Sequence, residues 1–217
     1  MSDKLSRDRV FRAAMAIADA HGLAALTIRS LAQELGAKPM SLYHYISGKE
    51  ELLDGLVDLV FAEIELPEEK GGQWRAEVRR RAVSARAVLT RHPWALTLVE
   101  TRTNPGPATL RHHDAMLGVL RAGGFSLPLT AHAYALIDAY VYGFVLQQVS
   151  LPFDSADSAV AVADSIMEGF AGAYPHLAEF ATQHVAKPGY DFGAQFEFGL
   201  DLILDALSDR NDAAGPG

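Results

Sequence analysis

Five polar side chains that can bind or react lie close together near the N-terminus: Ser41, Tyr43, His44, Tyr45 and Lys49. Hydroxyl and ammonium groups are natural partners for phosphate oxygens and for the edges of nucleic-acid bases. An imidazole is also a common acid or base in catalysis. The pattern therefore indicates a binding surface or a catalytic site, and the structural alternative is that the two tyrosines are core residues.

No motif of a known catalytic chemistry accompanies the imidazole of His44. The sequence has no Glu-x-x-His pair, no His-Glu-x-x-His, no Gly-x-Ser-x-Gly and no phosphate-binding glycine loop. It has no cysteine, which excludes disulfides and thiolate metal sites. His112 and His113 are adjacent, and neighbours on a helix point about 100° apart, so they are not expected to share a metal. We predict a protein that is not an enzyme and has no metal or cofactor.

Charge is distributed unevenly along the chain. Residues 1–49 contain seven Lys and Arg against four Asp and Glu, whereas residues 50–217 contain twelve against twenty-three. The total is −8 at pH 7, so a basic N-terminal end is joined to an acidic remainder. This distribution is expected when only one end of a protein meets a phosphate backbone.

Short helical patterns contain the polar stretch. An Ala-rich amphipathic pattern covers 7–21. Thr27 is a good N-cap for a second helix, and Pro39 suits the first turn of a third. The second and third helices, joined through "GAK", match a helix-turn-helix, in which the later helix enters a DNA groove. Leu42 and Ile46 are four residues apart and are expected to anchor that helix to the core.

A capping box is predicted at the start of the fourth helix. In "SGKE" the Ser47 hydroxyl can accept a backbone N–H, and Glu50 can reach back to the Ser47 backbone. The helix is expected to end at Pro67. Lys49 lies in its first turn, where its ammonium and the free N–H groups both favour a phosphate.

The rest of the chain predicts further helices and no convincing strand, so the fold class is all-α, with domains over 1–66 and 67–217. The N-terminus is polar, without a signal-peptide pattern, and no apolar run approaches the roughly 20 residues that cross a bilayer. We therefore expect a soluble, cytoplasmic protein with no membrane partner. The later helices are predicted over 74–91, 93–101, 108–122, 129–150, 156–172, 175–185 and 192–208, before a frayed tail over 211–217.

Residues 26–56, "LTIRSLAQELGAKPMSLYHYISGKEELLDGL", resemble the DNA-binding domain of the tetracycline repressor (TetR) family. The stretches "TR" (101–102), "GFSL" (124–127), "ALIDAYVYGFVL" (135–146) and "FEFGLDLIL" (196–204) are similar to the regulatory core of the tetracycline repressor itself. The resemblance implies a DNA-binding head made of three helices and a helical ligand-binding and dimerisation core. It also implies DNA contacts by Thr27, Arg29, Lys38, Pro39, Met40, Ser41, Tyr43, His44, Tyr45 and Lys49.

The family resemblance further implies a ligand-responsive regulator, most simply a repressor, that binds a palindromic operator as a homodimer. Arg29 is the residue expected to read a guanine, because its guanidinium fits the O6 and N7 acceptors. The dimer interface would be a four-helix bundle to which each chain contributes the helices over 129–150 and 192–208.

The resemblance also implies a small-molecule effector in the C-terminal core, where it would lower DNA affinity by linkage. Its aromatic and aliphatic lining favours an apolar or aromatic effector. In the tetracycline repressor a histidine just before the "TR" pair helps to hold a magnesium–tetracycline chelate. By the resemblance, the matching position here looks like Leu98, which argues against that ligand. The candidate ligand contacts are Trp94, Leu98, Arg102, His113, Met116, Tyr134 and Tyr142, for most of which ordinary core packing is the competing interpretation.

Two alternatives of other classes remain open from the sequence. One is a DNA-binding regulator controlled by a protein partner, or an architectural DNA binder without a ligand. The other, more remote, is an enzyme built on a helical bundle. Release of operator DNA by a small molecule would favour the ligand-responsive regulator, whereas release only by a protein would favour the first alternative.

Overall fold

The computed structural model describes residues 4–69, 73–153, 158–162, 164–165 and 172–214. Within these ranges every regular element is a helix, so the all-α prediction is confirmed. The helices, numbered here in chain order, are α1 Arg7–His21, α2 Ile28–Glu34, α3 Pro39–Leu42, α4 Lys49–Glu63, α5 Trp74–Arg91, α6 Pro107–Ala122, α7 Leu127–Ser150, α8 Pro175–Phe180 and α9 Gln195–Ala214. Short 3₁₀ turns cover Leu23–Ala25, Pro93–Thr97 and Phe192–Ala194, and a π-helical turn, Ala181–Val185, follows α8.

Helices α1 to α4 form the head, in which α2 and α3 make the predicted helix-turn-helix. The Thr27 hydroxyl accepts the Ser30 N–H at 3.0 Å, and the Ser30 hydroxyl accepts the Thr27 N–H at 2.9 Å, so the predicted cap of α2 is confirmed. Pro39 opens α3. Leu42 and Ile46 are 0% and 2% exposed, which confirms them as anchors and turns the opposite side of α3 outward.

The start of α4 differs from the predicted capping box. The N-cap is Gly48, without a side-chain cap, so the helix begins one residue later than the box requires. The third helical position is then Glu51, and Glu51 rather than Glu50 accepts the Ser47 N–H at 2.6 Å. The helix also ends at Glu63, before the predicted end at Pro67.

Helices α5 to α9 form the body, with α7 packed against α5, α6 and α9. Helix α7 is apolar nearly all round, and its three neighbouring helices bury part of that apolar surface. Its 24 residues are long and apolar enough to cross a bilayer by length and composition alone, which corrects the expectation that no such run exists. In the fold this helix supplies core residues, among them Ile137, Val141 and Val145.

Helix bounds elsewhere in the body agree with the predictions or differ for local reasons. The helix predicted over 93–101 is a 3₁₀ turn that ends at Thr97. The tail predicted to fray from residue 211 is helical as far as Ala214, and the Asn211 side chain donates to the Gly123 carbonyl at 2.9 Å. The helix predicted over 156–172 lies largely outside the described residues, of which 158–162 and 164–165 are helical.

Candidate DNA interface and effector site

The head presents an exposed polar surface at the start of α2, along α3 and at the start of α4. Met40 on α3 and Tyr43, the residue directly after α3, are 73% and 48% exposed, although their side chains are large and apolar or aromatic. Exposed side chains of this kind, grouped on one element, mark a binding surface. The predicted DNA contacts that are exposed are Thr27, Arg29, Lys38, Pro39, Met40, Tyr43, His44 and Lys49.

The cations of this surface are available to a ligand. Arg29, Lys38 and Lys49 take part in no salt bridge within the described part of the chain. An unpaired surface cation keeps its charge for phosphate oxygens, and each phosphate that it neutralises releases counterions from DNA. The surface therefore combines free positive charge with exposed hydroxyl and aromatic groups.

Two predicted DNA contacts, Ser41 and Tyr45, are only half-exposed. The Tyr45 hydroxyl donates to the Leu5 carbonyl at 3.0 Å, on the segment that precedes α1. Tyr45 thus serves the packing of the head, which the sequence offered as the alternative interpretation of the tyrosines. A DNA contact by either side chain stays a prediction.

Acidic residues of α4 connect the head to the body. Arg102 donates to Asp54 at 2.6 Å and to Glu50 at 2.7 Å. One turn further along α4, Asp58 accepts the backbone N–H of Thr109 at 2.8 Å and the Thr109 hydroxyl at 3.1 Å, and so caps the first turn of α6. The predicted ligand contact Arg102 therefore lies at this junction, held by two carboxylates.

A second junction joins α1 to the turn after α5. Asp19 accepts the Trp94 indole N–H at 2.6 Å and also lies 2.7 Å from Nδ1 of His92. The other ring nitrogen of His92 is 3.3 Å from Glu63, the last residue of α4. The polar atom of Trp94, a predicted ligand contact, is thus used in a contact between head and body.

The structure brings together predicted ligand contacts on α6 and α7. His113 and Tyr134 share a hydrogen bond, with ring centroids 5.7 Å apart. The same imidazole lies 5.8 Å from the Phe61 ring of α4. His113 lies on α6, and Tyr134 and Tyr142 lie on α7. Two further predicted ligand contacts, Met116 and Leu98, are buried members of the core.

An ion pair that sequence reasoning missed lies beside these residues. Arg81 of α5 is 1% exposed and donates to Asp138 of α7. The Tyr142 hydroxyl donates to the other oxygen of Asp138 at 3.4 Å. Two signals could have revealed the pair. Asp138 is the only acidic residue of the apolar α7, and Arg81 lies on the α5 stripe that includes Val78 and Ala85.

Three polar groups of the body, His112, Tyr134 and Tyr142, are held in their neutral forms. Burial lowers the pKa of His112 to about 4, assisted by the positive charge of Arg81. Burial also raises the pKa values of Tyr134 and Tyr142, and the charge of Asp138 adds to the effect. At neutral pH the site therefore offers a neutral imidazole and protonated hydroxyls, which suit an uncharged ligand oxygen better than a free anion.

Within the described residues, the buried side-chain atoms without a hydrogen-bond partner are Nε of Arg81, Nδ1 of His112 and Oγ1 of Thr130. Such atoms are uncommon in folded proteins and indicate a functional site or a missing partner. Among the described residues no group of three or more His, Cys, Asp or Glu side chains is placed to hold a metal ion.

Two family profiles match the chain. The profile described as "Bacterial regulatory proteins, tetR family" covers residues 10–56. The profile described as "Tetracyclin repressor-like, C-terminal domain" covers residues 66–210. The chain belongs to the TetR family. It is a ligand-responsive, DNA-binding transcriptional repressor, as the resemblance of residues 26–56 implied.

Similar TetR-family proteins are transcription regulators rather than enzymes. The HTH-type transcriptional repressor DrrR1 of Streptomyces coeruleorubidus is 36% identical over 214 residues, covering 94% of this chain and 77% of that protein. The tetracycline repressor protein class C of Escherichia coli is 29% identical, covering 94% of this chain and 91% of that protein.

The architecture is also that of a solved TetR-family structure. ActR of Streptomyces coelicolor, in its apo form, is similar with a TM-score of 0.78 at 30% identity, covering 98% of this chain and 99% of that chain. The complex of ActR with actinorhodin has a TM-score of 0.75 at 30% identity, covering 96% and 99%.

Proposed function

We propose that this cytoplasmic protein binds a palindromic operator as a homodimer and is released by a small apolar or aromatic effector bound between α6 and α7. DNA would be contacted by the exposed head surface, with Arg29 reading a base and Lys49 holding a phosphate. The observation that carries the proposal is the position of His113, which contacts Tyr134 on one side and Phe61 of α4 on the other.

Helix α4 is the element that can transmit an effector signal. It carries Phe61 near its C-terminal end and Lys49 at its N-terminal end, and its 15 residues form a rod about 22 Å long. A ligand that displaces the His113 ring would shift its contact with Phe61 and so move the C-terminal end of α4. Because α4 is rigid, its N-terminal end at Lys49 would move as well. DNA and effector would then favour different positions of α4, which is the condition for linkage.

Exposed apolar side chains support the homodimer. On α9, Phe198 and Leu202 are 71% and 55% exposed and lie one turn apart. On α7, Leu136 and Leu146 are 46% and 55% exposed. Faces of this kind on two helices favour a four-helix interface with a second copy, and a symmetric dimer also matches the symmetry of a palindrome.

The neutral character of the interior supports an uncharged effector with oxygen acceptors on an aromatic framework. Both tyrosine hydroxyls stay protonated, so Tyr134 and Tyr142 present no phenolate charge to such a ligand. ActR, at 30% identity, binds actinorhodin, which makes actinorhodin a suitable first probe. A thermal-shift screen should show stabilisation by aromatic probes; stabilisation by polar metabolites alone would reject this effector class.

A release assay separates transmission from ligand binding. An operator is first selected from genomic DNA, and effector-induced release is followed by a gel shift. Phe61→Leu should keep operator affinity and effector affinity but need more effector for release, because the ring contact with His113 is lost. Release of the variant at the same effector concentration as the parent protein would show that the signal does not pass through Phe61.

A further inference from the structure

The recognition helix α3 cannot hold its own conformation. It has only four residues, and no side chain caps its N-terminus at Lys38. A single helical turn is unstable alone because its nucleation fixes several residues for one hydrogen bond. The orientation of Tyr43 and His44, which follow α3, therefore depends on what holds the chain just after the helix.

Arg7, at the start of α1, holds that part of the chain. Its guanidinium donates to the Tyr45 carbonyl at 2.6 Å, across 38 residues of sequence. It also pairs with Glu51 of α4 at 2.6 Å and lies 4.8 Å from the centroid of the Phe11 ring. One side chain thus links α1, the end of the recognition element and α4.

Glu51 completes the link from the other side. Its second oxygen accepts the Ser47 N–H at 2.6 Å, so the segment between α3 and α4 is fixed at Tyr45 and again at Ser47. Hydrogen bonds from Ser47, and then from Arg7, lower the pKa of Glu51 to about 2. The carboxylate is therefore ionised at every pH at which the protein would bind DNA.

We propose that Arg7 and Glu51 form a clamp that positions the recognition helix for specific DNA binding, without contacting a base. The clamp rests on the proposed DNA surface, since it orients side chains of that surface. Its residues are exposed enough to be changed without opening the core, because the Arg7 and Glu51 side chains are 56% and 33% exposed.

The sign of the effect of Glu51→Gln tests the clamp. The substitution removes a negative charge from the DNA-binding head, so electrostatics alone predicts equal or tighter binding to every DNA. The clamp predicts the opposite for the operator, with affinity about fivefold weaker, the limit of an exposed ion pair. Affinity for random-sequence DNA should not fall, so the ratio of specific to non-specific affinity decreases.

Matched controls exist on α1. Asp8, like Glu51, lies in the first turn of its helix, and among the described residues its salt-bridge partner is Arg12, at 2.5 Å. Asp8→Asn removes the same charge but touches no part of the recognition element, so operator affinity should stay equal or rise. Arg7→Gln should lower the ratio of specific to non-specific affinity, whereas Arg12→Gln should leave this ratio unchanged because its guanidinium pairs with Asp8.

Fluorescence anisotropy with operator and random DNA, together with thermal unfolding of each variant, decides the proposal. A lower affinity ratio in Glu51→Gln and Arg7→Gln, at an unchanged melting temperature, supports the clamp. If Glu51→Gln behaves like Asp8→Asn, the clamp is wrong even though the DNA surface stands. If Arg29→Ala and Tyr43→Ala also leave operator binding unchanged, the DNA surface itself is wrong, which is a separate result.

Discussion

The head and the body both contain many arginines, but they use them differently. On α5 of the body, Arg75, Arg79, Arg80, Arg81 and Arg91 all pair with carboxylates. In the head, Arg29, Lys38 and Lys49 have no salt-bridge partner within the described ranges. Carboxylates of neighbouring elements thus neutralise most of the α5 arginines, although Arg86 of the same helix donates to Gln148 instead. The three head cations keep their positive charge for DNA.

This difference indicates that a nucleic-acid-binding surface is identified by cations without an ion-pair partner, rather than by the number of Lys and Arg residues. Residues 50–217 have almost twice as many acidic as basic residues, twenty-three against twelve, so a cation there is more often near a carboxylate. Residues 1–49 have an excess of cations. Coulomb attraction to phosphate requires charge that is not already neutralised by a nearby carboxylate.

The largest effect is expected from breaking the Arg81–Asp138 ion pair, in which both side chains are buried in the body. Asp138→Ala leaves the Arg81 charge without compensation and should lower the free energy of unfolding by about 3–5 kcal/mol. The control Asp201→Ala breaks half-exposed pairs with Arg79 and Arg75 and should cost at most about 1 kcal/mol. Chemical denaturation measures both; equal losses would mean that burial does not distinguish the two kinds of pair.

Arg29→Ala should remove base reading from the head. We expect a loss of about 1–3 kcal/mol in preference for the operator, because a guanidinium bonded to two guanine acceptors is replaced by a methyl group. Folding should be unaffected, since Arg29 is exposed. Competition binding between the operator and single-base variants gives the measurement, and an unaltered base preference would remove Arg29 from this role.

The neutral interior of the body predicts a pH dependence of stability. The pKa of His112 is lowered to about 4 when folded, from 6.5 in the unfolded chain. The unfolded state then binds more protons between these values, so stability falls as the pH drops below 6.5. From pH 7.5 to 5.5 the loss should be roughly 1–1.5 kcal/mol.

His112→Gln should remove this part of the pH dependence, as followed by urea denaturation at several pH values. The matched control is His132→Gln, which changes an exposed histidine of α7. A parent protein and a His112→Gln variant with parallel stability curves would contradict the assignment of a neutral buried imidazole.

The smallest effect on DNA binding is expected from replacing the unpaired cation Lys49, and the paired cation Arg79 provides the control. Lys49→Ala should weaken binding to all DNA sequences by up to about 1 kcal/mol at physiological salt and reduce the salt slope of binding by about one. Arg79→Ala, in the body, should leave the slope unchanged because Glu197 and Asp201 already neutralise that guanidinium. The salt dependence of DNA affinity is measured by fluorescence anisotropy. Equal salt slopes for the two variants would contradict the proposed difference between head and body cations.

The sequence predicted most of the head because its signals are local. The Thr27 cap, the proline at the start of α3 and the four-residue spacing of Leu42 and Ile46 each act within one or two helical turns. The prediction failed at "SGKE", where the helix starts one residue later, after Gly48. As a result, the carboxylate that accepts the Ser47 N–H is that of Glu51 rather than that of Glu50. A one-residue shift of the helix start changes the capping partner, because that partner is the third residue after the N-cap.

The sequence by itself determined that the chain is helical, that its N-terminal end carries the DNA-binding pattern and that positive charge is concentrated there. Tertiary structure alone decided which charges are free. Asp138 meets Arg81 across 57 residues, and Asp54 meets Arg102 across 48. Helical periodicity places a side chain on a face of its own helix, but it does not specify the partner helix, which is chosen by the packing of the whole core.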